Sequence, residues 1–289
     1  MRIAILHSRI RVEERLLAES FQARGIAFDL LDVRQAVFDI HEPGGLTEYD
    51  AVLERCISQT QAVAATRLFE RFGIPCINTP AVIETCGDKL TTSLRLAESG
   101  VPTPRVRIAL GGDSALHAVE QMGYPCVLKP ATGSWGRLLA RVHDRDAAEA
   151  VIEHKETLGG PQHGIFYVQE FIDKPGRDLR VFMVGDEAIA GIVRESEHWI
   201  TNTARGGRAG RFDISADLAA VCRSAARAVG GGILAIDLLE TRGGEVLVSE
   251  VNHTMEFRNS IQPTGVDIPG RIADFVIAAA QANAETIHA

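Results

Sequence analysis

Residues 233–252 read Ile233-Leu234-Ala235-Ile236-Asp237-Leu238-Leu239-Glu240-Thr241-Arg242-Gly243-Gly244-Glu245-Val246-Leu247-Val248-Ser249-Glu250-Val251-Asn252. Two apolar runs flank a Gly-Gly pair, which predicts a β-hairpin. A two-residue type I′ turn needs positive φ at both central positions, and glycine supplies this without steric cost. That turn pairs Arg242 with Glu245. Counting outward places Asp237 opposite Glu250, with Asn252 on the same face because side-chain direction repeats every two residues. Facing carboxylates repel, so among Ile236, Leu238 and Val251 they require a cation or a shared proton. Oxygen donors without His or Cys favour Mg²⁺ or Mn²⁺ over zinc. The competing reading pairs one of the acids with an arginine such as Arg205 or Arg258.

A second constellation supports the cation. Only four of the 30 basic residues are lysine, at positions 89, 129, 155 and 174. A lysine is a compact point charge, unlike the planar guanidinium fork. Lys129 ends the strand pattern Cys126-Val127-Leu128-Lys129-Pro130, and Lys89 begins a helical one; both suit phosphate oxygens, with a solvated surface charge as the bland alternative. The loop Thr132-Gly133-Ser134-Trp135-Gly136-Arg137 offers glycines for close backbone approach, a hydroxyl and a guanidinium. It is not GxxxxGK[ST], which excludes a P-loop. No GxGxxG follows the first strand pattern, so a nicotinamide enzyme is not indicated. The strand Tyr167–Ile172 runs into an exposed linker, its free backbone edge suits adenine, and Asp178 can accept bonds from ribose hydroxyls.

Along the chain, strand patterns at 3–6, 26–32, 50–53 and 74–78 alternate with helical ones at 12–24 and 60–72, an α/β beginning. Thr79-Pro80 has helix-start chemistry, and a first domain closes near residue 83. Helical patterns follow at 88–99, 113–122, 144–157 and 215–229, with strands at 126–130, 165–172, 179–184, 187–194, 233–240 and 245–252. A Gly-rich polar loop covers 201–211, and a closing helix runs from Pro269 to about Ala282.

The chain has 289 residues, is 46% hydrophobic and 24% charged, and carries a net charge of −8. That balance argues against nucleic acid, which demands a basic face. No stretch reaches the roughly 18 apolar residues of a membrane span and the start lacks a signal-peptide pattern, so a cytoplasmic protein is expected. The five cysteines form no CxxC pair and read as core residues.

Taken together, these residues resemble the ATP-grasp superfamily, within it the ribosomal-S6-modification-like amino-acid ligases, and most closely the α-aminoadipate–LysW ligase family. The resemblance is carried by Leu53-Glu54-Arg55-Cys56, Cys86-Gly87-Asp88-Lys89, Gly133–Arg137, His198–Gly207, Glu250–Phe257 and Thr264–Gly270, and covers essentially the whole chain. It implies an α/β (α+β) ATP-grasp fold, with a Rossmann-like pre-ATP-grasp domain over residues 1–83. Two α+β lobes would clamp ATP, a small one at 84–170 and a large one at 171–289 carrying the metal site.

The same resemblance implies roles. Lys89 and Lys129 would hold ATP phosphates, Ser134, Trp135, Gly136 and Arg137 would cover them, Glu170, Phe171 and Ile172 would frame adenine, and Asp178 would hold ribose. Asp237, Glu250 and Asn252 would hold Mg²⁺. Arg205, with Lys129, would steady the transferring phosphoryl group, while Arg194, Asn202, Thr203 and Thr254 would face the amino acid. The implied reaction forms an amide, releasing ADP: the C-terminal glutamate side chain of a small acidic carrier protein becomes an acyl phosphate, which the α-amine of L-2-aminoadipate attacks. Glutamate as acceptor is the nearest rival, one methylene away. A nucleotide-binding regulator without turnover is the rival of another class. Docking of an acidic tail on an acidic enzyme asks for a local basic patch, for which Arg9, Arg11, Arg55, Arg194 and Arg258 are candidates. His198 and His253 read as hydrogen-bonding or packing residues, and a homodimer or homotetramer is the family expectation.

Overall fold

A computed structural model describes every residue except 134–137, 161–163, 202–205 and 288–289. Three sheets follow one another along the chain. The first is parallel, from β1 (Arg2–His7), β2 (Ala27–Asp32), β3 (Ala51–Glu54) and β4 (Cys76–Ile77), in the order β2-β1-β3-β4. Helices α1 (Val12–Ala23) and α2 (Gln59–Arg71) make the crossovers. β1 and β3 are buried almost throughout, the near-continuous apolar pattern of a covered parallel sheet.

The second unit begins with α3 (Pro80–Gly87) and α4 (Lys89–Glu98). Asp88 caps α4 by accepting from the Thr91 N–H at 2.7 Å, which places Lys89 at the first helical position. Strands β5 (Val106–Ala109), β6 (Cys126–Pro130), β7 (Ala140–Val142) and β8 (Phe166–Glu170) form an antiparallel sheet ordered β5-β8-β6-β7, with α5 (Gly112–Met122) and α6 (Arg145–Leu158) packed on it. The third sheet, β11-β10-β9-β12-β13, is built from β9 (Arg177–Val184), β10 (Glu187–Glu195), β11 (Arg208–Arg211), β12 (Ile233–Glu240) and β13 (Val246–Asn252), with α7 (Ala216–Ala228) on one face.

The chain then turns through α8 (Arg258–Thr264) into α9 (Ile268–Ile287). One core joins Ile3, Ile5, Leu17 and Phe21 of the first unit to Phe182, Ile268, Ile272 and Val276, so α9 ties the end of the chain back to its beginning.

Four elements go beyond the sequence reading: β5, β7, β11 and α8. β11 lies inside the segment read as a Gly-rich loop, and its Gly210 pairs with Val193 on β10. The hairpin turn also differs. Gly244 alone has positive φ, at 84°. The Thr241 N–H donates to the Glu245 carbonyl at 2.8 Å and the Gly244 N–H to the Thr241 carbonyl at 3.0 Å. This is a three-residue loop ending in a left-handed glycine, not a two-residue turn, so Arg242 does not pair with Glu245. Glu240 pairs with Val246 and Leu238 with Val248; then Ser249 is skipped, and Asp237 meets Glu250. The bulge at Ser249 shifts the ladder by the one residue that the turn had displaced it.

Candidate active site

Cross-strand register assembles the site. Arg180 on β9 pairs with Asp237 on β12, which pairs with Glu250 on β13. Two residues along β9, Asp178 pairs with Arg194 on β10. Alternation puts Asp178 and Arg180 on one face, so two arginines and three carboxylates meet above the sheet.

The contacts are close. Arg180 grips Asp237 through two bonds of 2.6 and 2.8 Å. Arg194 donates from Nε to Asp178 at 2.6 Å and lies 3.3 Å from Asp237 through Nη2. Asp178 also accepts from the Thr201 hydroxyl and lies 3.8 Å from the Lys174 ammonium. Burial by itself would raise the Asp237 carboxyl, but Arg180 and Arg194 outweigh it and hold the group below its ordinary range. Glu250 has a different cation, the Lys89 ammonium at 3.2 Å. The competing arginine reading of the acidic pair therefore holds for Asp237, with Arg180 and Arg194 as partners where Arg205 and Arg258 were considered.

Asn252 donates weakly from Nδ2 to Asp237 at 3.4 Å and to the Ala235 carbonyl at 3.5 Å. Among the described residues no group of three or more His, Cys, Asp or Glu side chains is placed to hold a metal. The set here is two carboxylates and one amide, an oxygen set of the kind a hard divalent cation takes.

The cleft has two connected ends that share Asp237, Glu250 and Arg194. One end is walled by Val127, Phe171, Ile172 and Leu239, with Lys129 and Asp178 at its polar edge. Lys129 donates to Gln169 Oε1 at 2.7 Å, and burial pushes its ammonium down to about 8 against the pull of Glu250. Lys89 donates to the Gly133 carbonyl at 2.8 Å, beside the glycine-containing loop. Phe171 packs edge-on to Trp199 at 6.3 Å, and Arg141 lies over both rings. The other end is lined by Arg11, His253, Thr254, Arg258 and Asn259.

Several residues sit differently from their sequence-derived roles. The Glu170 carboxylate turns away from the cleft and binds the Arg105 backbone N–H at 2.7 Å and its guanidinium at 3.0 Å. Its neighbour Gln169 faces inward instead, and the period of two along β8, with Phe171 as reference, already carried that signal. Arg194, expected to face an amino acid, is 4% exposed and committed to Asp178 and Asp237. Asp178, expected to hold ribose, has both oxygens engaged within the protein, yet it still borders the apolar end. Thr254 borders the other end and donates to Glu54 at 3.0 Å. Ser134, Trp135, Gly136, Arg137, Asn202, Thr203 and Arg205 lie outside the described residues.

Of the basic-patch candidates, Arg55 is 2% exposed in the core, which removes it from the surface. Arg11 is paired with Glu14 and Glu256. Arg258 lines the cleft, exposed, with no ion-pair partner among the described residues. The His198 ring accepts from the Ile200 N–H at 3.0 Å and packs beside Trp199. Four of the five cysteines are buried and the fifth is half-buried; burial pushes the Cys222 thiol up to about 12 and Cys126 to about 11. No helix among the described residues is long and apolar enough to cross a membrane.

Residues 3–85 match the LysX preATP-grasp domain and residues 86–276 the RimK-like ATP-grasp domain. A protein of Sulfolobus acidocaldarius named glutamate–LysW ligase ArgX is 31% identical over 278 residues, 96% of this chain and 98% of its own length. One of Saccharolobus solfataricus named α-aminoadipate–LysW ligase LysX is 34% identical over 220 residues, 76% of this chain and 80% of its own. The crystal structure of a RimK domain ATP-grasp protein from Sphaerobacter thermophilus superposes with a TM-score of 0.80 at 30% identity, covering 96% of this chain and all of that one.

Proposed function

This chain belongs to the RimK-like ATP-grasp ligases, ATP-dependent enzymes that form amide bonds, and on that premise we propose that it joins the α-amine of L-2-aminoadipate to the C-terminal glutamate side chain of a small acidic carrier protein. The observation that carries its ATP-dependent half is the meeting in one cleft of Asp237, Glu250 and Asn252 with Lys129, and of Lys89 with Glu250 at 3.2 Å; the acceptor and carrier follow the similarity to the α-aminoadipate–LysW ligase.

The donor set has the chemistry a divalent cation takes, three oxygen-bearing side chains on one sheet face, and to hold the metal Asp237 and Glu250 would share oxygens now paired with Arg180 and Lys89. When bound, Mg²⁺ would screen the phosphate oxygens and stabilise the charge that gathers on them. The apolar end between Val127, Phe171, Ile172 and Leu239 accepts a purine, with Asp178 at its rim for the sugar. Lys129 and Lys89 lie where phosphates continue towards Glu250, and Arg205 is assigned to the transferring phosphoryl group. A carrier carboxylate oxygen would attack the γ-phosphorus of ATP, the β,γ P–O bond breaking to release ADP; the neutral amine nitrogen then attacks the acyl carbon, the bond to the phosphate oxygen breaks, and inorganic phosphate leaves with the proton the nitrogen sheds. The enzyme supplies no covalent nucleophile. Its contribution is positioning and fixed charge.

Glutamate is the second reading, and the string that places the chain nearest the aminoadipate family does not decide against it. The string Thr264-Gly265-Val266-Asp267, part of the resemblance to the aminoadipate family, makes the junction between α8 and α9. Gly265 is the left-handed cap of α8 with φ 68°, the Thr264 hydroxyl donates to the Ser260 carbonyl, and Asp267 accepts from the Gly270 N–H at 3.0 Å. These residues shape the chain and do not line the cleft. Steady-state ADP release with aminoadipate and glutamate on the same carrier decides between the two; a higher kcat/KM for glutamate overturns the aminoadipate assignment. Absence of ADP release with either amino acid and every acidic carrier tried returns the non-catalytic nucleotide-binding reading.

A further inference from the structure

Glu54 is the last residue of β3, and its side chain is fully buried. One carboxylate oxygen accepts from the Thr254 hydroxyl at 3.0 Å and lies 3.3 Å from His253 Nδ1, which is itself 2.8 Å from the Thr254 hydroxyl. The other accepts from the Cys56 N–H. Arg55, next in the chain, donates to the Met255 carbonyl at 3.0 Å and to Glu14 at 3.1 Å, and its guanidinium lies 5.9 Å from the centre of the Phe257 ring. Consecutive residues at the end of one strand thus hold the segment that leaves β13 just beyond Asn252. That segment lines the cleft through His253 and Thr254.

Stability alone does not account for a buried carboxylate at this junction, since an apolar residue of similar size commonly stabilises a fold as well. What the carboxylate adds is direction. It fixes the hydroxyl rotor of Thr254 and, through it, the face that the His253 ring presents. We propose that Glu54 is a positioning residue for the acceptor end of the cleft, holding Thr254 and His253 in the orientation that receives the incoming amino acid. A carboxylate of the first unit thereby orients two lining residues, His253 and Thr254, that follow the last strand of the third sheet. This rests on the function proposed above.

E54Q preserves the shape but replaces one acceptor oxygen with a donor NH₂ group, which must face either the Cys56 N–H or the Thr254–His253 pair. The comparison set is wild type, E54Q, T254V and the double variant, with KM measured for amino acid and for ATP, and ADP affinity as a check on folding. The expected result is a rise in amino-acid KM of about tenfold for E54Q, the worth of one hydrogen bond to a charged group. KM for ATP and ADP affinity stay within about twofold, and the double variant falls short of the product of the single effects. An unchanged amino-acid KM, equal rises in both KM values, or multiplicative single effects overturns the proposal. If wild type gives no turnover with any acidic amino acid and carrier, the functional reading fails by itself. Positioning is then judged on ¹⁵N-histidine NMR: a His253 ring signal displaced in E54Q, with the other histidines unmoved, supports it, and an unmoved His253 signal sinks it.

Discussion

Arg194 spans two acids: its Nε lies 2.6 Å from Asp178 and its Nη2 3.3 Å from Asp237. The first contact is a direct cross-strand pair between β9 and β10, and the second reaches over Arg180 to β12. Removing the guanidinium leaves two carboxylates enclosed at one site, and breaking a buried pair in this way costs about 3–5 kcal/mol. Arg194→Met is expected to lose stability on that order in urea unfolding at neutral pH. Because Arg194 helps to hold the Asp237 carboxyl down, its loss raises that group, so protonation relieves the variant. Its deficit against wild type narrows as pH is lowered; a constant deficit would count against the bridge.

Lys129 gives a pH signature. Its folded value is pushed down to about 8 by burial, so below that pH the folded state carries a charge that the solvated unfolded chain holds more easily. This unfavourable contribution is present in full at low pH and fades as pH rises from about 8 to the ordinary lysine value. Phosphate binding runs the other way, since it uses the charge. ADP affinity in calorimetry is expected to weaken as pH is raised from about 7 to about 9.5. In K129M affinity is low throughout, and the titration step is gone.

Asn78 staples the first unit to the third sheet. Its amide donates to the Ile233 and His253 carbonyls at 2.8 and 2.7 Å and accepts from the Ile233 N–H at 2.7 Å. N78A strands one buried donor and two acceptors and should cost about 2–4 kcal/mol. Gly232 lies against the same amide with φ +98°, and a Cβ there would fall 2.0 Å from Asn78 Oδ1. G232A is expected to destabilise to a similar degree through backbone strain and loss of the staple. Thermal unfolding of the two singles and the double tests this: coupled effects support the shared contact and additive ones refute it.

Arg258 is a cation in the cleft without an acidic partner among the described residues, whereas Arg11, Arg180 and Arg194 are each committed to carboxylates. An acidic substrate or carrier tail needs such a free charge. R258M is expected to raise KM for the amino acid or the carrier by about tenfold, with kcat changed less, and to flatten the dependence of that KM on salt. Unchanged KM values for both would remove Arg258 from the site.

Much of the site was legible because it rests on short-range periodicity. That Asp237, Glu250 and Asn252 share a face follows from the pleat alone, and the placement of Lys89 and Lys129 follows from a helix cap and a strand end. Side-chain direction is set by neighbours one or two positions away, so parity survives an error elsewhere. The direct pairing of Asp237 with Glu250 illustrates the limit. It emerged from a turn one residue too short and a straight ladder, and holds because the bulge at Ser249 shifts the register back. Neither feature has a local signal strong enough to separate it from the other.

The charge partners belong to the tertiary structure. Arg180 is 57 residues from Asp237, and Glu54 is 200 from Thr254. Among 26 arginines nothing local marks which will be buried against which acid. Sheet order decided that Arg194, where it lines the cleft, is committed to two acids, and packing of the first unit against the segment after β13 decided that Arg55 lies in the core. Composition and periodicity were enough to nominate Asp237, Glu250, Asn252, Lys89 and Lys129 as one candidate site. The balance of charge within it depended on strands brought together across the chain, because ion pairing depends on distance in space and leaves no trace in spacing along the sequence.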